Sequence, residues 1–197
     1  MHPSSSRAAK TSVEENPAPS KSSPILEPAA PPPGVLDRGD FDVRIGRDGT
    51  WYYRGSAIGR RPLVKLFASV LRREADGRYW LVTPAERGRI AVDDVPFLAV
   101  ALTISGEGPG QRLMLRTNLD EIVTAGPDHE LRVETAANGE PAPYIHVRDG
   151  LEARLSRTVF YDLVALGVVA DVAGRMEFGV WSGGVFFRLG EPGPDWE

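Results

Sequence analysis

From residue 88 to residue 155 the chain offers almost nothing but short segments of alternating polarity cut by turns. GRIAV, FLAVALTIS, RLMLRT, EIVTAG, HELRVE, PYIHVR and LEARL follow one another, with GEGPGQ, GPD and ANGEPAP among the pieces between them. Alternation with period two sends successive side chains to opposite faces, as a sheet with one buried face requires. Strands this closely spaced cannot build a helical bundle, and connections this short favour antiparallel neighbours. The longest apolar run, FLAVALTI at 97–104, suits a buried strand and is too short to cross a bilayer.

Ahead of this run, FDVRI and TWYYRG flank Arg47-Asp48-Gly49 as a hairpin, since Asp-Gly supplies the positive φ such turns need. A helix is predicted over 61–74, with Pro62 in its first turn. Leu63, Leu66, Phe67, Val70 and Leu71 form its apolar stripe, opposite Arg61, Lys65 and Arg72. Asp76-Gly77 ends it, and RYWLVTP reads as a strand. Behind the run, Ser156 caps a predicted helix over 157–167 with Val159, Phe160, Leu163, Val164 and Leu166 on one side. RMEFGVW and VFFRLG then bracket Ser182-Gly183-Gly184 as a last hairpin.

Arg-Asp-Gly recurs at 148–150, about a hundred residues after its first occurrence, and again a hairpin, a helix and a strand opening Gly-Arg follow. The expectation is an α+β protein, mainly antiparallel sheet with two helices, made of internally duplicated hairpin–helix–strand units. The order of strands and capping helix in its C-terminal part is superficially that of a pleckstrin-homology barrel. Residues 1–36, rich in Pro, Ser and Ala, are expected to be a disordered tail. Residues 37–84 form an N-terminal subdomain and residues 85–197 a β-rich C-terminal one.

A net charge of −4 gives no general attraction for nucleic acid polymers. The absence of cysteine excludes disulfides and thiol chemistry. The N-terminal stretch lacks the apolar core of a secretory signal, so a soluble cytoplasmic location is the default, with no membrane association. GEGPGQ at 106–111 lies between strands rather than before a helix, so it reads as a hairpin loop and not a phosphate cradle. His2, His129 and His146 show no metal-ligand spacing, and no serine stands in a nucleophile elbow. No metal, cofactor or catalytic residue is therefore assigned; Glu86 and Asp94 are the carboxylates an enzyme reading would use.

Arginines beside helix starts are the one constellation that breaks a local rule. Arg60 and Arg61 open the first helix, and Arg157 opens the second, one turn before Tyr161. A cation there opposes the helix dipole, and a bound anion would relieve that penalty through forked hydrogen bonds. Tyr144 and Tyr161 offer stacking faces, and Thr117 and Asn118 further hydrogen bonds.

TPAERGRIAVDDVPF at 83–97, PYIHVRDGLEARLSRTVFYDLV at 143–164 and IGRRPLVKLFASVL at 58–71 resemble a bacterial family, domain of unknown function 1285. The resemblance spans residues 38–190 and implies a duplicated core, a C-terminal part superficially like pleckstrin-homology domains, and a ligand site between the two parts. It also implies a nucleotide-like ligand and a role in signalling. Thr83 and Glu86 match one family string, and Tyr144, Arg148, Arg157 and Tyr161 another. The leading expectation is thus a non-enzymatic module binding a small anionic ligand between subdomains. The alternative is a protein-interaction module using a sheet edge, either the barrel edge or VFFRLG; an enzyme stands third.

Overall fold

The computed structural model describes residues 33–192. Most of the expected tail lies outside them; within it, Leu36 already opens a strand.

A first six-stranded sheet holds β1 (Leu36–Ile45), β2 (Trp51–Tyr53), β3 (Ser56–Ala57), β4 (Leu71–Arg73), β5 (Tyr79–Val82) and β6 (Glu86–Val92). Their order is β3-β2-β1-β6-β5-β4, and helix α1 (Arg61–Ser69) connects β3 to β4. A second sheet holds β7 (Phe97–Ser105), β8 (Arg112–Thr117), β9 (Ile122–Thr124), β10 (Leu131–Thr135), β11 (Pro141–Arg148) and β12 (Leu151–Leu155). Its order is β10-β11-β12-β7-β8-β9. Helix α2 (Arg157–Ala165) follows, and β13 (Val168–Val172), β14 (Arg175–Ser182) and β15 (Val185–Gly190) make a third sheet.

The two large sheets share one plan. In each, a three-strand meander is followed by another, and the first strand of the set lies parallel to the last: β1 beside β6, and β7 beside β12. All other named pairings are antiparallel. The second sheet is thus mainly antiparallel, as expected, with one parallel pair, and GRIAV, expected among the later strands, pairs instead with β1 and β5.

The recurrence of strand order does not follow the hairpin–helix–strand units read from the sequence. α1 sits inside the first sheet's connections, whereas α2 follows the second sheet. The two Arg-Asp-Gly turns differ as well. Asp149 and Gly150 both have positive φ, +47° and +72°, and form the tight two-residue turn between β11 and β12. At the first site only Gly49 is left-handed, and a longer loop closes through Gly46 N–H to the Thr50 carbonyl at 2.8 Å.

α2 forms much as its cap and stripe predict: Ser156 Oγ accepts the Val159 N–H, and Val159 and Leu163 are buried. α1 is shorter than predicted. It ends at Ser69, and Leu71–Arg73 instead pair with β5. Leu71 is fully buried on a strand as it would have been on the helix, so apolar spacing alone could not separate the two outcomes. The buried face of α1 centres on Val64 and Ala68, leaving Leu66 exposed, while Phe67 stacks on Trp51. Strands β3, β4 and β13 were not anticipated.

One continuous apolar core joins all three sheets, running from Val43, Ile45 and Trp51 through Phe97, Leu113 and Ile145 to Val180, Phe187 and Leu189. Each such side chain contributes about 1.5–3 kcal/mol by leaving water. Among the described residues no helix is long and apolar enough to cross a membrane.

Candidate functional site

The residues predicted to bind a ligand are distributed over several places. Arg60 is the extended N-cap of α1, exposed and without an ion pair among the described residues. Arg61 donates to the Asn118 carbonyl at 2.9 Å and to Asp120 Oδ1 at 2.8 Å. Lys65 reaches Asp120 Oδ2 at 2.7 Å, and Arg116 approaches the same carboxylate at 3.4 Å. Asp120 stands at φ +69° in the β8–β9 turn, and these cations, Lys65 first and then Arg61, hold its carboxyl below the usual range. The negative partner expected beside α1 is therefore a side chain of the protein itself.

Thr117 and Asn118 build this turn. Thr117 is buried, and its Oγ1 accepts the N–H groups of Leu119 and Glu121. Asn118 accepts the Leu98 N–H at 3.1 Å and donates to the Gly49 carbonyl at 3.2 Å, tying the first Arg-Asp-Gly loop to β7. Arg148 pairs with Glu121 at 3.0 Å and donates to the Ala68 carbonyl near the C-terminal end of α1 at 2.8 Å. It lines a cavity of about 430 Å3 at the junction of the two large sheets, where Arg72 spends its hydrogen bonds on the Ser69 and Leu71 carbonyls.

Elsewhere, Thr83 Oγ1 donates to the Glu86 carbonyl and accepts its N–H, and the Glu86 carboxylate pairs with Arg38. Tyr144 is buried between two guanidinium groups, those of Arg132 at 4.6 Å and Arg154 at 5.8 Å from its ring centre. Its hydroxyl donates to Asp94, which also takes Arg154 at 2.7 Å; burial, then the Asp94 charge, push the phenol pKa up. Arg157 donates to the Tyr161 hydroxyl at 3.2 Å and lies 5.8 Å from its ring centre, with no carboxylate partner among the described residues. Both carboxylates of the enzyme reading, Glu86 and Asp94, are thus engaged in ion pairs. Among the described residues no group of three or more His, Cys, Asp or Glu could hold a metal.

A more spacious hollow among the described residues is lined by none of the predicted site residues. A groove of about 800 Å3 runs between β10 and β15, which are edge strands of the second and third sheets. The ladder shows which backbone groups face it. His146 N–H donates to the Glu130 carbonyl and Ala136 N–H to the Glu140 carbonyl. Bonded positions alternate in an antiparallel pair, so Arg132 and Glu134 also face β11. Opposite Val133 and Thr135 stand Pro143 and Pro141, which have no N–H to give. Leu131, Val133 and Thr135 therefore point their N–H and C=O groups outward, along the free edge. On β15 the two-residue turn at Gly183-Gly184 bonds Val185 and Phe187 to β14 and turns Phe186 outward. VFFRLG, offered above as a partner-accepting strand, is β15 itself; β10 had been read only as one more strand. The prolines opposite it were the available sign of which way its bonds run.

Family models match along most of the described chain. Residues 33–95 match the N-terminal domain of unknown function DUF1285, and residues 96–189 match the C-terminal domain of the protein of unknown function DUF1285. The chain belongs to the DUF1285 family. A DUF1285 family protein from Silicibacter pomeroyi DSS-3, seen in a crystal structure, is 44% identical with a TM-score of 0.74, over 84% of this chain and 90% of that one. A DUF1285 family protein from Shewanella baltica OS155 is 26% identical with a TM-score of 0.50, over 64% of this chain and 91% of that one. The curated proteins contain no match. The boundary between the two DUF1285 domains falls between β6 and β7, so each large sheet lies within one family domain, and the groove belongs almost wholly to the C-terminal one.

Proposed function

We propose that this DUF1285 protein is a non-enzymatic interaction module that receives an extended segment of a partner protein between β10 and β15. The observation that supports it is the pair of open strand edges bordering this groove. Unpaired edge groups template the addition of another strand, and long free edges are otherwise an aggregation hazard that proteins cover. Panning a phage-displayed random peptide library on the protein tests the reading. Val133→Pro removes one outward N–H while leaving the ladder to β11 intact, so enriched peptides should lose binding to it. Enriched peptides that bind the variant unchanged, or a library that yields none, would count against a strand-edge site.

A second reading keeps the small anionic, nucleotide-like ligand, with signalling as its role, and moves it to α2. It rests on Arg157, which lacks a carboxylate partner among the described residues and lines a cavity of about 330 Å3 with Arg154 and Tyr161. A nucleotide panel should then raise the melting temperature of the wild type but not of Arg157→Ala; an unchanged melt across the panel would remove it. The shared strand plan of the two large sheets supports an internal duplication as the origin of either module. A pleckstrin-homology-like ancestry for the C-terminal part remains part of the same proposal.

A further inference from the structure

Building on the strand-edge reading, we infer that β10 is the docking edge and that its ligand alternates apolar with polar residues, carrying basic side chains four positions apart.

The choice of edge follows from regularity. β10 pairs with β11 over five consecutive positions without a shift, so its outward groups recur at every second residue. β15 carries a register irregularity opposite Phe178 and Gly179, which interrupts the spacing a partner strand would need. β10 therefore supplies the backbone ladder, and β15 supplies a wall.

The chemistry follows from the two faces of β10. Side chains of Leu131, Val133 and Thr135 share one face, and those of Glu130, Arg132 and Glu134 the other. Val133 and Val185, from the two borders of the groove, are both partly buried against the main core, so this face receives apolar side chains. The opposite face is acidic. Arg132 is held by Glu152 through two bonds at 2.9 Å and also pairs with Glu134, while Glu152 in turn takes Arg73 at 3.9 Å, so with Glu130 three carboxylates face two guanidinium groups. Glu130 has no side-chain partner among the described residues.

An added strand places one residue across from each β10 position. Basic side chains belong across from Glu130 and Glu134. A neutral residue belongs across from Arg132, which would repel a cation. Apolar residues belong across from Leu131 and Val133, where the ladder bonds form. The recognised pattern is basic–apolar–neutral–apolar–basic, as in Lys-Val-Ser-Val-Lys.

The test measures fluorescence anisotropy of labelled Gly-Lys-Val-Ser-Val-Lys-Gly and of its counterpart with Glu in place of both Lys, on the full chain. The lysine peptide should bind on the order of tenfold more tightly, given two exposed charge pairs. Added salt should shrink that preference, and Glu130→Lys combined with Glu134→Lys should invert it. N-methylation of both peptide valines, which leaves the protein unaltered, should abolish binding by removing the ladder donors. Equal binding of the two peptides, or failure of both, overturns the basic pattern while the edge reading still stands on library peptides sensitive to Val133→Pro. Lysine-peptide binding that survives both N-methylation and Val133→Pro overturns the edge reading as well.

Discussion

Glu152 grips Arg132 with two parallel hydrogen bonds, Nε to Oε1 and Nη2 to Oε2, both 2.9 Å long. The carboxylate belongs to β12 and the guanidinium to β10, so the pair spans the intervening β11 and fixes the edge strand from beneath. Its bonds, foremost among the causes, push the Arg132 pKa above its ordinary value.

Because the Glu152 side chain is 15% exposed and that of Arg132 32%, the pair lies between an open surface bridge and a buried one. Exposed pairs contribute about 0.2–1 kcal/mol, and breaking buried ones costs about 3–5 kcal/mol. Glu152→Ala should therefore lower the unfolding free energy by about 1–2 kcal/mol in urea titrations. A double-mutant cycle with Arg132→Ala should recover most of this as coupling energy. Additive single effects would mean that the two residues act independently.

Acid should loosen the link between α1 and the β8–β9 turn. Lys65 and Arg61 hold the Asp120 carboxyl below its ordinary value, and Asp37, Asp48 and Asp76 are lowered by backbone N–H donors, those of Gly39, Thr50 and Arg78. In each the folded pKa lies below the unfolded one, about 3.9, so the unfolded chain binds protons first as pH falls. Their stabilisation is complete above that value and is lost as pH drops through it toward the folded pKa. Asp120→Asn keeps a residue that tolerates φ +69°. It should flatten the pH dependence of urea midpoints below about pH 4, and an unchanged profile would exclude Asp120 from the effect.

What could be read from residues alone follows the range of the interactions concerned. The β11–β12 turn was legible because Asp149-Gly150 carries its own φ requirement, and α2 because Ser156 and its apolar stripe are neighbours in sequence. The end of α1 was not, since Leu71 is buried whether the chain coils or extends, and only pairing with Leu81 decides between them. The placement of β6 depends on a parallel partner 50 residues earlier, Asp37 opposite Arg87, for which no local signal exists. The arginine site suffers from the same limit. The helix starts are visible in the sequence, but the carboxylate that answers Arg61 arrives from 59 residues away. The groove is a property of strand order, and which strand becomes an edge is settled only when the sheets assemble.

Gly179 stands on β14 with no room for a side chain beside β15. A Cβ there would stand 2.3 Å from the Phe187 carbonyl oxygen and 2.7 Å from the Phe186 ring. The ring can turn aside, but the carbonyl belongs to the paired strand and cannot move without breaking the hairpin. Gly179→Ala should therefore cost about 1–3 kcal/mol, as overpacking does. In amide exchange the loss should concentrate in β14 and β15. Protection unchanged across that hairpin would show that the strands can separate without penalty.

Ser182, read from sequence only as the first residue of a Ser-Gly-Gly turn, is fully buried and joins the third sheet to the second. Its Oγ accepts the Leu113 N–H at 2.9 Å and donates to the Ala125 carbonyl at 2.7 Å. Ser182→Ala changes the shape very little but strands a buried donor and a buried acceptor, and an unpaired buried group costs about 1–3 kcal/mol. The unfolding free energy should fall by about that amount, and exchange of the Leu113 amide should speed up relative to Leu115 on the same strand. Ser182→Thr and Ser182→Cys separate hydrogen bonding from volume. Thr retains the hydroxyl but adds a methyl to a packed site, whereas Cys approximates the size with a weak donor. If Ala, Thr and Cys all leave stability and Leu113 exchange unchanged, the hydroxyl does not hold the two sheets together.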